Sequence, residues 1–143
     1  MARLVVDDSA LTGIEKLDPA HVREVTRKCV LAGAKVIEKE MRNAIVSRGH
    51  VANGWMRDSV GPGVLHEDID RTWIEVYPLG DDPRGVQNEM KYEMLVKGYY
   101  NNSTGRKIRR DPVLKNIKNA AEPKVLAVMA YQFDLCMKEI NGG

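Results

Sequence analysis

Residues 18–49 read DPAHVREVTRKCVLAGAKVIEKEMRNAIVSRG, and their spacing predicts one long amphipathic helix. Asp18 stands as N-cap, and Pro19 takes the first helical position, where a missing N–H costs nothing. Val22, Val25, Cys29, Ala32 and Val36 recur at intervals of three and four, and Ile37, Met41, Ala44 and Ile45 extend the stripe. Arg23, Arg27, Lys28, Lys35, Glu38, Lys39 and Arg42 fill the positions between, as a solvated face does, and the helix ends near Gly49.

After this helix the period changes. Asn53-Gly54 and Gly61-Pro62-Gly63 read as turns, and residues 55–60 between them alternate like a short extended segment. RTWIEVYPL at 71–79 is the clearest strand, with Trp73, Glu75 and Tyr77 on one face and Ile74 and Val76 on the other. GDDPRG at 80–85 reads as a loop, YEMLVKGYY at 92–100 as a strand bulged at Gly98, and NNSTGRKIRR at 101–110 as a mobile basic loop. Asp111-Pro112 repeats the cap-then-proline device, and helical spacing follows through Leu114, Ile117 and Ala121, with a kink or restart expected at Pro123. Val125, Val128, Met129, Phe133, Cys136 and Ile140 keep that spacing to the Gly142-Gly143 tail, while residues 1–17 read as a short strand or an arm. Strands grouped between two helices predict an α+β fold: a long N-terminal helix, a small antiparallel sheet and a C-terminal helix packed on it.

The 143 residues suit a single domain spanning 1–143. A compact monomer of this mass exposes about 7,400 Å². The composition, 43% apolar and 29% charged, excludes a collagen-like or low-complexity chain. Cys29 and Cys136 lie far apart without metal-ligand spacing, so two buried, reduced thiols are expected and no bound metal. No stretch approaches the roughly 18 apolar residues of a spanning helix, and none of the first thirty forms an export signal, so neither membrane nor secretion is expected.

The net charge of +2 conceals an uneven distribution. Arg106, Lys107, Arg109, Arg110, Lys115 and Lys118, offset only by Asp111, give residues 103–118 a charge of +5 on a body of −3. Three readings stand for this strip: a seam against an acidic subunit or partner, a solvated loop, or phosphate contact with nucleic acid. His66, Glu67, Asp68 and Asp70 form the one acidic cluster with a histidine, and a solvated turn explains it better than acid–base chemistry. No phosphate loop, nucleophile elbow or HExxH is present, so no catalytic residue, no enzymatic activity and no cofactor are expected.

The stretch Asn53-Gly54-Trp55-Met56-Arg57-Asp58-Ser59-Val60 resembles the Thr-Gly-x-Leu-Arg-x-Ser-Ile signature of phage and prophage head–tail joining proteins. These neck or tail-completion minor structural proteins of long-tailed bacteriophages carry it after their first long helix. Tyr92 to Gly98 resembles their Tyr-Ala-x-x-Val-Glu-x-Gly strand, and Asp111-Pro112-Val113-Leu114 with Ala120-Ala121 resembles their Pro-Phe-Leu-x-x-Ala opening of a C-terminal helix. Asn53, Lys97 and Val113 depart from the usual Thr, Glu and Phe. The resemblance implies a virion structural protein that is made in the host cytoplasm and ends in the neck or tail. Its partners are then copies of itself in a ring, neighbouring portal-adaptor or tail proteins, and DNA in the channel. Arg106, Lys107, Arg109, Arg110 and Lys97 are its candidate interaction residues. Asn53, Gly54, Arg57, Asp58, Ser59, Tyr92, Gly98 and Pro112 are its structural motif. The alternative is a small nucleic-acid-binding protein acting through the basic loop at 106–110.

Overall fold

A computed structural model describes residues 3–12, 14, 17–50 and 53–142. The long helix forms as its spacing predicts: α1 spans Pro19–Ser47, and the Asp18 carboxylate accepts from the His21 N–H at 3.1 Å. Its buried side chains cover a wider arc than one stripe, including Val25, Cys29, Val30, Ala34, Ile37, Met41 and Ile45. The width has a simple cause, because α1 is covered on two sides. A sheet lies against one and the C-terminal helix α5 (Ile117–Asn141) against the other.

The sheet is antiparallel and built around β4 (Thr72–Pro78). On one edge β1 (Leu4–Asp7) pairs with it in the register Leu4↔Val76 to Asp7↔Trp73. The other edge is shared by β2 (Val60–Pro62) and β3 (His66–Glu67). Ile74, Val76 and Pro78 of β4 point into the core, while Trp73, Glu75 and Tyr77 face outward, as period-two alternation requires. On that outer face the Arg3 guanidinium lies 3.9 Å from the centre of the Tyr77 ring and pairs with Glu75 and Glu89.

Sheet, α1 and α5 meet at Gly33. A Cβ placed there falls 2.9 Å from Val6 Cγ1 and 3.2 Å from the Met129 side chain, so the glycine sets how closely the three elements approach. Together these layers form the α+β architecture: a long N-terminal helix, small antiparallel sheets, and a long C-terminal helix packed against helix and sheet. No helix among the described residues is long and apolar enough to cross a membrane.

Five local expectations need correction. Residues 55–60 are chiefly a short helix, α2 (Trp55–Ser59), and Gly61-Pro62 belong to β2 rather than to a turn. Met56 and Val60 are both buried, a spacing of four that suits a helical turn as well as alternation suits a strand. Residues 92–97 lie in α3 (Asn88–Lys97), and the chain becomes extended only after Gly98. The basic segment is a hairpin of β5 (Tyr99–Asn101) and β6 (Arg106–Ile108) rather than a structureless loop. The C-terminal helix is interrupted at Asn116, between α4 (Pro112–Lys115) and α5, and continues through Pro123. Proline removes one bond to the Asn119 carbonyl, and that residue is exposed to water.

Candidate functional site

The basic hairpin is positioned by glycine, asparagine and aspartate. Gly98 ends α3 with φ of 81° and ψ of 160°, and its N–H bonds to the Met94 carbonyl at 2.7 Å. A Cβ here meets the Arg110 nitrogen at 2.8 Å and the Ile108 oxygen at 2.9 Å, both backbone atoms that cannot yield. The returning strand therefore packs against the helix terminus. At the far end of the hairpin, Asn101 Oδ1 accepts from the N–H groups of Ser103 and Thr104 at 3.0 and 3.3 Å. The loop closes on Gly105, whose N–H bonds to the Asn101 carbonyl at 2.9 Å.

Beyond the hairpin the chain is pinned at Asp111. This buried carboxylate caps α4 by accepting from Val113 N–H at 3.0 Å and Leu114 N–H at 3.4 Å, with Pro112 at the first helical position. It also meets Arg48 Nε and His50 Nε2, each at 3.0 Å, which fastens the C-terminal end of α1 to the root of the hairpin. Burial alone raises a carboxyl pKa. Here the hydrogen bonds from His50, Arg48 and the two N–H groups outweigh burial and hold it below the ordinary aspartate value.

Tyr92 supports this corner from inside. Its ring is buried on α3 and its hydroxyl donates to the Leu114 carbonyl at 3.0 Å, with burial raising the phenol pKa.

The candidate interaction residues share this end of the molecule. Arg106, Lys107, Arg109 and Arg110 are exposed, and their side chains have no ion-pair or hydrogen-bond partner among the described residues. Lys97 differs, since its ammonium pairs with Glu93 at 2.8 Å. Tyr99, Tyr100, Ile108, Lys107, Arg109 and Arg110 border, with Lys97, an open groove of roughly 750 Å³.

The other motif residues lie on α2 and act structurally. Asn53 Oδ1 accepts from Trp55 N–H at 3.1 Å, and Gly54 opens the helix with φ of 81°. Arg57 pairs with its neighbour Asp58 at 2.8 Å, which raises the guanidinium pKa and lowers that of the carboxyl. Ser59 Oγ donates to the Met56 carbonyl at 2.7 Å. The clamp on this turn is Arg42 of α1, which donates to the carbonyls of Arg57 and Val60 at 3.3 and 2.8 Å. Sequence reading placed Arg42 on a solvated face. Its position four residues after Glu38, which it pairs at 3.0 Å, gives no sign of the second role.

The acidic cluster is a turn. His66 stacks on Trp73 with ring centres 4.0 Å apart, Glu67 pairs with Arg27 at 2.7 Å, and the Asp68 N–H bonds to the Arg71 carbonyl at 2.8 Å. At its tip Ile69 is fully exposed, a residue that sequence reading passed over although an isoleucine between two aspartates in a turn is itself a signal. Among the described residues no group of three metal-ligating side chains comes together. Cys29 and Cys136 are both buried and unpaired, and burial pushes the Cys29 thiol up to about 11.

Comparison with family models, curated proteins and solved structures finds no match to this chain. The outward face of α5 is the second unusual surface. Ala120, Pro123, Leu126, Ala127, Ala130 and Tyr131 are all exposed and share one arc along the N-terminal half of the helix, which the exposed Asp134 and Lys138 continue as a charged surface.

Proposed function

We propose that this chain is a structural subunit of a bacteriophage or prophage virion, acting in head–tail connection or tail completion as one member of an oligomeric ring. The observation that carries the reading is the outer face of the N-terminal half of α5, with Leu126 43% and Tyr131 65% exposed among Ala120, Pro123, Ala127 and Ala130. Such a face finds its second layer of packing only in an assembly. The total surface supports the same view. The chain exposes 9010 Å², where a compact monomer of this mass exposes about 7,400 Å². The order of motifs along the chain, from the Asn53-Gly54 turn after the first helix to the capped Asp111-Pro112, supplies the link to phage neck proteins.

Negative-stain images of the purified chain at high concentration test the proposal. Rings with a central channel are expected, and isolated monomers at every concentration overturn it. A second reading, a small nucleic-acid-binding protein, draws on the four unpartnered cations of the hairpin. Salt titration separates the two, because phosphate contacts make the logarithm of affinity fall steeply and linearly with the logarithm of salt concentration.

A further inference from the structure

We infer that the acidic β3–β4 turn of one copy docks into the groove beside the basic hairpin of the next, so that copies join head to tail. The inference rests on the ring reading and identifies the surfaces by which neighbours meet.

The two surfaces lie at opposite ends of α1. The turn that carries Asp68, Ile69 and Asp70 borders a cleft with Pro19, Val22 and Arg23 of the first turns of α1. The hairpin adjoins the other end, through Arg48 and Asp111. From Arg23 to Arg48 the helix advances about 37 Å at 1.5 Å per residue. The turn therefore cannot reach the groove of its own chain, and contact between them requires a second copy.

Their chemistry matches in both apolar and charged parts. Ile69 is 103% exposed, the most exposed large apolar residue described, at the apex of a turn where nothing covers it. Asp68 and Asp70 flank it, and neither carboxylate has a partner among the described residues. Two nearby cations are otherwise engaged: Arg27 holds Glu67, and Arg71 holds Asp7 at 3.3 Å. Arg23, on the α1 side of the same cleft, also acts on Glu67, helping to lower its pKa. The receiving groove has the reverse pattern, with an apolar floor at Tyr99 and Ile108 and unpaired cations at Lys107, Arg109 and Arg110. Its volume lies within the range of about 300–1,000 Å³ that encloses a small ligand. An apolar tip ringed by carboxylates and an apolar floor ringed by cations give both burial and register. Because the two surfaces differ, the contact is heterologous and generates a closed ring or an open filament.

A mixing experiment tests this. One variant carries Asp68→Lys, Ile69→Ser and Asp70→Lys, and the other carries Lys107→Glu, Arg109→Glu and Arg110→Glu. All six side chains lie on the surface, and circular dichroism checks that each variant folds. Each variant alone is expected to remain monomeric, with self-association weakened at least ~10-fold by the lost apolar burial and ion pairs. Mixing the two unaltered sides gains nothing beyond one intact contact per pair, so the mixture stops at a heterodimer. A chain carrying the reversed charges on both surfaces, with Ile69 retained, is expected to assemble again. If wild type and both variants assemble alike, the docking inference fails and the ring reading stands. If wild type remains monomeric throughout, the ring reading fails and takes the inference with it. If the second variant assembles normally but loses oligonucleotide binding, the groove belongs to nucleic acid and the inference is overturned.

Discussion

Replacing Asp111 by alanine should loosen the join between α1 and the basic hairpin by a predictable amount. The carboxylate has two roles, as cap of α4 and as partner of Arg48 and His50. Loss of an N-cap costs about 1 kcal/mol. The bond to Arg48 counts for little, because that side chain is 46% exposed and exposed pairs contribute about 0.2–1 kcal/mol. The His50 contact is more sheltered, with the ring 25% exposed, and adds about 1 kcal/mol. The expected total is about 2–3 kcal/mol, or a fall in Tm of roughly 6–10 °C for a domain of this size.

Asp111→Asn is the discriminating control. Asparagine caps as well as aspartate does, so the cap bonds to Oδ1 survive, while an amide nitrogen replaces the oxygen that accepts from Arg48 and His50; losing the charge and those two bonds should cost about 1–2 kcal/mol. Urea unfolding followed by circular dichroism measures both variants against wild type. The pH dependence carries its own sign. A carboxyl whose folded pKa is lowered contributes stability above its unfolded value of about 3.9, and that contribution is lost as pH falls through the lowered one. The gap between wild type and Asp111→Ala should therefore narrow as the solution is acidified below about pH 4. An alanine variant within about 0.5 kcal/mol of wild type at pH 7 would refute the reasoning.

Three further outcomes follow from the same geometry. Tyr92→Phe strips the buried Leu114 carbonyl of its donor and should cost about 1–3 kcal/mol in urea unfolding; a neutral result would mean water replaces the hydroxyl. Gly98→Ala combines a φ of 81° with a clash against two backbone atoms and should cost about 3 kcal/mol or more, read by the same titration. A cost below about 1 kcal/mol contradicts the close approach of β6 to α3. Cys29, buried and with its pKa raised to about 11, should resist a thiol reagent at pH 8 in the native protein and react promptly in denaturant. Fast native labelling at that position contradicts the packing of α1 on α5.

What was legible in the sequence was local. Asp18-Pro19 and Asp111-Pro112 announce helix starts because cap chemistry acts within a few residues, and both carboxylates accept the expected N–H bonds. RTWIEVYPL alternates cleanly because one face of β4 meets α1 while the other meets water and the Arg3 cluster. The segment from Tyr92 to Tyr100 misled because it joins the end of one helix to the start of a strand, with the change falling at Gly98. Tyr92 is core on a helix rather than on a strand, and only its tertiary partner Leu114 distinguishes the two. The five residues of α2 are too few for a period to decide, and Arg42, which holds them, lies on another element. The basic strip was legible as charge. That it forms a hairpin depended on Asn101 and Gly105 closing its loop. The acidic surface that complements it depended on seeing Ile69 bare at the other end of the molecule.

Sedimentation velocity of the wild-type chain over a wide range of concentration tests the central claim most directly. If the chain is a ring subunit joined through oppositely charged ends, a 16.1 kDa species at low concentration gives way to one larger species of defined size, and added salt shifts that transition to higher concentration. A single 16.1 kDa species at every concentration and salt would contradict it.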